Sequence, residues 1–243
     1  MKGAVLIIGS LYWDIHQGKH LNVRKNWRTN HLQMNNCINV SVPIRYGRTS
    51  GKGEKKIYTM VFSNSLQLNQ LWGRAYVVPL KFDINEYRDL YEQAKYLSKA
   101  EGAKDTHMVK RSNGEVWCVI GVLFNPRLDV VRKQDILDRF QQQLDAEQLG
   151  EVYNDFCIPK ESSILSRQGE ILIDWPPPVN PKDKAALDAL DFIIATCPKQ
   201  NLRSYPDAAA IKSLVLNDVR NYFYNNVASG ITTYQDREIM EAK

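Results

Sequence analysis

The sequence contains no apolar run approaching the roughly 18 residues needed to cross a bilayer. That sets aside a helical membrane protein. Cysteine offers no motif either: Cys37, Cys118, Cys157 and Cys197 stand far apart with no C-x-x-C pair, which excludes a zinc ribbon and a thioredoxin-like site. All four are expected to be reduced and mostly structural. Histidine is scarce, at four residues in 243. Asp14, His16 and His20 could share a metal only if their loop folded back, and His31 and His107 are isolated, so no metal site is expected. No G-x-S-x-G elbow exists, so a serine–histidine–acid triad is set aside. There is no internal repeat and no low-complexity tract. The opening "MKGAVLIIG" has too short an apolar core for a signal peptide, and "GSLYWD" is a poor cleavage site. The expectation is a cytoplasmic protein. A net charge of +5, from 32 basic and 27 acidic residues, is mild and spread along the chain, and by itself does not call for nucleic acid.

What is present is an ordinary soluble composition, 44% hydrophobic and 24% charged, on a chain long enough for a real core. "AVLIIG" (4–9) is a continuous apolar strand buried on both faces. "INVSVPIRYG" (38–47) alternates Val40, Val42, Ile44 and Tyr46 with polar neighbours. "KIYTMVFS" (56–63), "WGRAYVVPL" (72–80) and "VWCVIGVLF" (116–124) complete a set of about five strands. Gly47, Gly51 and Gly53 place a mobile hairpin loop between the second and third strands. Helical spacing of Tyr87, Leu90, Tyr91, Ala94, Leu97 and Ala100 predicts a helix stopped at Gly102. Ile136, Phe140 and Leu144 mark another, with Gly150 closing that region. "DWPPPVNP" (174–181) reads as an extended linker. Beyond it, Asn180 caps a helix that Pro181 starts and that runs to about Thr196. A longer helix is expected from about Asp207 to Ser229, stopped by Gly230, with a last turn capped by Thr232 or Thr233. The expected fold class is α+β, a small mixed β-barrel-like sheet with flanking helices plus a helical C-terminal segment. The corresponding division is a first domain over 1–150, an irregular linker over 151–181 and helices over 182–243.

Three features carry candidate chemistry. Gly9-Ser10-Leu11 leaves a buried strand, and amides in such a turn can converge on an anion while Ser10 adds a hydroxyl. Taken alone, the same turn simply ends a strand. Tyr12 and Trp13 follow at once, either as pocket walls or as core packing. In "RYGRTSGKGEKK" (45–56), Arg45 and Arg48 could fork onto carboxylate or phosphate. The same stretch, with Tyr46, Lys52, Lys55 and Lys56, mixes bases with an aromatic as single-strand binders do, or is a solvated basic loop. The C-terminal helices, rich in Tyr, Phe and Asn, are expected to pack on the first domain, with a partner or a dimer as the other options.

Taken in order, the strand running into Gly9-Ser10-Leu11-Tyr12-Trp13, the "LWGRAYVVP" strand, and a following helix with Glu92 and Glu101 resemble the γ-glutamyl cyclotransferase-like superfamily. The resemblance covers about residues 4–124. Members open with an apolar strand leading to Tyr-Gly-Ser-Leu, and the glutathione-degrading branch continues Gly-Ser-Leu-Ile-Trp. What the resemblance implies is a lyase or acyltransferase that needs no metal or cofactor and acts on a small molecule bearing a carboxylate. The Gly-Ser-Leu amides would hold that carboxylate. One glutamate would take a proton from the α-amino group so that nitrogen attacks the γ-carbonyl, releasing 5-oxoproline and an amine. Glu101 in "KAEGA" is preferred as that base, with Glu92 the alternative; either would otherwise be a solvated acid on an amphipathic helix. Ile8 stands where the family has tyrosine, so a hydroxyl is missing at that place. A non-catalytic binding or regulatory module of the same fold is the rival reading, alongside the nucleic-acid surface at 45–56.

Overall fold

The structure, a computed structural model, describes residues 1–14, 22–51, 53, 56–102, 109–112, 115–157, 164–202, 204–218 and 220–241. His16, His20, His107, Lys52 and Lys55 lie outside the described residues.

Apolar strands β1 (Gly3–Ile7), β2 (Ile38–Val42), β3 (Ile44–Ser50), β4 (Ile57–Phe62) and β5 (Gly73–Pro79) form in the first third of the chain. They are followed by β6 (Val109–Ser112), β7 (Glu115–Phe124) and β8 (Phe192–Pro198). Six of them make one mixed sheet in the order β2-β5-β1-β8-β7-β6, while β3 and β4 pair separately. The α+β class stands. Among the described strands the sheet is open and not closed into a barrel. The reason is at Pro43, which has no N–H to continue a ladder. The single strand expected over 38–47 breaks there: β2 pairs with β5, and β3 turns away to pair with β4. The hairpin so formed packs back against β8.

β1 sits centrally, every residue buried, antiparallel to β5 and parallel to β8. A strand with no wet face reads as an unbroken apolar run, as this one does. β8 is the main correction. "FIIATCP" was expected inside a helix reaching about Thr196, but that helix is short: a 3₁₀ turn at Pro181–Asp183 and α6 (Lys184–Asp188). Asn180 does cap it, accepting from the Lys182 N–H. The β-branched run after Asp191 then fills the slot between β1 and β7. Residues 182–243 therefore give the sheet a strand and are not purely helical.

Helix α1 (Val23–His31) precedes β2, and α2 (Asn64–Leu68) follows β4. α3 (Tyr87–Ala100) buries Leu90, Ala94, Leu97 and Ala100, the stripe its spacing predicts. Gly102 ends it at φ +86, a left-handed conformation that glycine adopts freely. α4 (Val130–Ala146) buries Ile136, Phe140 and Leu144. Gly150 opens the short α5 (Gly150–Cys157), where a close was expected. The proline-rich stretch is extended, but it is not loose. Ser41 N–H donates to Pro177 O at 2.9 Å and Val179 N–H to Asn39 O at 2.8 Å, so it covers the outer edge of β2. The long helix expected over 207–229 is two: α7 (Ala208–Val215) and α8 (Tyr222–Ala228), separated at Asn221, whose φ is +50. α9 (Asp236–Glu241) closes the described chain. No helix of the described residues is long and apolar enough to cross a membrane.

Candidate functional site

β1 leaves the sheet after Ile7, and the next residues turn sharply. Tyr12 N–H donates to Gly9 O at 3.1 Å and Asp14 N–H to Ser10 O at 2.8 Å. Arg28 of α1 braces the turn from the inside, donating to the carbonyls of Leu11 and Asp14. Burial, with Arg24 beside it, pulls the Arg28 guanidinium below its usual range. With the carbonyls of the turn so occupied, the N–H groups of Ser10 and Leu11 have no hydrogen-bond partner among the described residues. Two such donors beside each other are what an anion needs.

Arg24, one helical turn earlier than Arg28, ties the turn to α3. Its side chain is 9% exposed. Nη1 contacts Asp14 Oδ2 at 2.8 Å and Ser10 Oγ at 3.4 Å, and Nη2 lies 3.7 Å from Glu101 Oε2. Nε donates to Ala100 O at 3.0 Å. The last contact explains why an arginine belongs here. Glu101 is the C-terminal cap of α3, where the helix dipole already places negative charge. A guanidinium across the last carbonyl offsets both the dipole and the added carboxylate. Its planar fork satisfies several acceptors at once, which a lysine cannot do.

Glu101 and the Gly9-Ser10-Leu11 turn, joined in the sequence only by resemblance, thus meet through Arg24. Glu92 does not join them. Its carboxylate is 41% exposed and pairs with Lys95 at 2.8 Å on the outer side of α3, the ordinary surface acid.

The two aromatics divide. Tyr12 stacks on Tyr76, ring centroids 4.3 Å apart, and its hydroxyl meets Cys37 Sγ at 3.5 Å, so it belongs to the packing beneath the turn. Trp13 donates Nε1 to Asn226 Oδ1 of α8 at 2.7 Å and tilts over Tyr222 at 6.2 Å.

Arg45 and Arg48 lie within strand β3. Arg45 stacks over the Tyr205 ring at 3.4 Å. Arg48 donates to Lys199 O at 2.9 Å and lies 5.1 Å over Trp117. Neither has a described contact with Ser10 or Glu101. Tyr46, the aromatic of that basic stretch, is 1% exposed, so its ring is closed to a stacking base.

No family model matches the chain, and comparison with curated proteins and with solved structures gives no match.

Three residues of the cluster go unnoticed in sequence: Arg24, Arg28 and Tyr222. A signal for the arginines exists. In "VRKNWR", Arg24, Trp27 and Arg28 fall on one helical face, and arginines beside a buried tryptophan imply buried acceptors. Tyr222 has no such local signal. It is buried, and a Cβ added to Gly9 would lie 2.7 Å from its hydroxyl. Burial pushes its phenol up to about 12, the Glu101 charge adding to this while the Asn226 side chain, the Met60 backbone and Arg24 pull the other way.

Proposed function

We propose that this chain is a γ-glutamyl cyclotransferase-like enzyme acting on a γ-glutamyl amine or a related acidic amide. The observation that carries the reading is Arg24, whose guanidinium joins Ser10, Asp14 and Glu101 at the exit of β1. The Ser10 and Leu11 amides would take the substrate carboxylate, with Arg24 as counter-charge. Asp14 and Glu101 would face its α-amino group. Glu101 then accepts one N–H proton as the amine nitrogen bonds to the γ-carbonyl carbon. That proton passes to the departing nitrogen as the old C–N bond breaks. The products are 5-oxoproline and the free amine, with every atom accounted for. The family's barrel-like fold is part of the proposal, and the hairpin folded back on β8 is what supports it.

Incubation with γ-glutamyl amines and an assay for 5-oxoproline tests the reading. Glu101→Gln is expected to lower kcat by about 10²- to 10⁴-fold, the usual worth of a general base. Glu92→Gln should leave it unchanged. Equal turnover by Glu101→Gln removes the proposed base.

A second reading, a binding module of the same fold without catalysis, is favoured by one observation. Ile8 supplies no hydroxyl to the turn, and Glu101 already has Arg24 at 3.7 Å. It predicts retention of γ-glutamyl compounds with no 5-oxoproline formed.

A further inference from the structure

β1 and β5 pair in steps, Ala4 with Pro79 through Ile7 with Tyr76. Two more steps would set Gly9 opposite Arg74. The chain does not take them. That position beside β5 is filled from the other end of the sequence: Arg74 N–H donates to Thr232 O at 2.7 Å, and Thr232 N–H returns to Arg74 O at 3.1 Å. Where the first strand peels away to form the Gly-Ser-Leu turn, the C-terminal segment takes its place.

Helix α8 is held firmly in that position. The Asp218 carboxylate accepts from the N–H groups of Arg220 and Tyr222, at 2.9 and 2.5 Å, and so anchors its first residues. Asn226 accepts from Trp13 of the turn, and its backbone carbonyl accepts from Ile231 N–H at 2.9 Å. Between these anchors the Tyr222 hydroxyl reaches the turn where only a glycine leaves room for it. A Cβ on Gly9 would lie 2.7 Å from the oxygen and 3.7 Å from ring carbon Cζ. Burial acts most on this hydroxyl, then the Asn226 side chain and the Met60 backbone, with the charges of Glu101 and Arg24 felt more weakly; what ties the phenol to the turn is its closeness to Gly9.

We propose that Tyr222 is a catalytic residue of this site, its hydroxyl donating a hydrogen bond to the substrate's reacting carbonyl oxygen, and that the C-terminal segment thereby completes a site begun by β1. The inference rests on the cyclotransferase reading for the identity of that carbonyl. The chemistry suits the step. Attack of the amine on the carbonyl carbon moves an electron pair onto oxygen, and a fixed donor aimed there stabilises the developing charge. A phenol held near 12 keeps its proton at neutral pH and remains a donor throughout. The hydroxyl absent at Ile8 is in this way supplied from a helix more than 200 residues later in the chain.

Tyr222→Phe keeps the buried ring and removes only the oxygen. With a γ-glutamyl amine that the wild-type protein turns over, kcat is expected to fall by about 10²-fold, as for loss of one oxyanion donor, while KM moves less than about 3-fold. Unchanged kcat overturns the role of Tyr222 and leaves the cyclotransferase reading standing. A second readout needs no turnover: calorimetric titration with 5-oxoproline, whose ring carbonyl is the former γ-carbonyl. Tyr222→Phe should weaken it by about 5- to 10-fold, the loss of one hydrogen bond, and equal affinity overturns the proposal. If the wild-type protein neither forms nor binds 5-oxoproline, both readings fall together. The contact itself is checked by Gly9→Ala. The added methyl group should lower the thermal midpoint in the wild-type protein and have little effect in Tyr222→Phe, where ring carbon at 3.7 Å is its nearest neighbour. Equal losses in both backgrounds place the hydroxyl elsewhere.

Discussion

Two pairs of arginines differ both in depth and in company: Arg24 and Arg28 are buried, Arg45 and Arg48 half-buried. Arg45 and Arg48 project from the β3–β4 hairpin and rest against rings, Tyr205 for one and Trp117 for the other, with Arg48 also donating to the Lys199 carbonyl. Arg24 and Arg28, on the inner face of α1, are surrounded by oxygen, from the carboxylates of Asp14 and Glu101 and the carbonyls of Leu11, Asp14 and Ala100. An arginine over a ring packs its stem and charge against an apolar face. An arginine among oxygens fixes where charge sits, and around such a point chemistry can be organised. The difference between the pairs lies in their neighbours and not in their own type or spacing.

Breaking the oxygen-bound pair should have the largest effect. Arg24→Met keeps an unbranched stem and deletes the charged head, leaving Asp14 and Glu101, 24% and 13% exposed, without the guanidinium between them. Loss of one partner of a largely buried ion pair costs about 3 kcal/mol. Urea unfolding of the variant at neutral pH is expected to show a loss of that order. Product formation should fall further than stability accounts for, because the same group is assigned to the substrate carboxylate. A loss under about 1 kcal/mol would make Arg24 a surface residue in all but position, and the contrast would collapse.

The hairpin region has its own buried acid, and it lacks the cation that Glu101 has. Asp236 of α9 is 4% exposed. Thr233 donates its hydroxyl to Oδ1, and no ion pair to Asp236 is present among the described residues. Burial raises its carboxyl from 3.8 to about 6. Because the folded form holds this proton more tightly than the unfolded chain does, the contribution is present at low pH and lost as pH rises through about 6. Stability should therefore fall between about pH 4 and pH 7, by on the order of 2 kcal/mol. Asp236→Asn should flatten that slope while Oδ1 still accepts from Thr233. An unchanged slope in the variant means that other groups carry it.

Much of this was open to a reader of the sequence, and the parts that were not have a common cause. β1, α3 and α4 announce themselves by local period, and the Gly9-Ser10 turn and Glu101 by their flanking residues. β8 does not. "AALDALDFIIATCP" keeps helical spacing up to its β-branched run, and a strand buried on both faces has no alternation to betray it. The slot between β1 and β7 decides the matter, and that slot is a property of the sheet. Arg24 meets Ala100 across 76 residues, and Trp13 meets Asn226 across 213. No window of sequence contains such pairs. The candidate site was legible where one segment makes it, and illegible where the fold brings three segments to one point.

The smallest effect belongs to the ring-bound arginines, and it sharpens the contrast most. Arg45 lies 3.4 Å over Tyr205 and 5.7 Å from the centre of Tyr234, half-buried, with a buried Nε that has no hydrogen-bond partner among the described residues. Its removal abandons a cation–π contact worth about 1 kcal/mol and relieves an unsatisfied donor, and the two changes oppose each other. Arg45→Met should therefore change the free energy of unfolding in urea by well under about 1 kcal/mol. Binding of 5-oxoproline should not change, because the residue has no described contact with the Ser10–Glu101 cluster. A substantial loss of binding in Arg45→Met would place the hairpin at the rim of the site after all, and the two pairs of arginines would then serve one pocket.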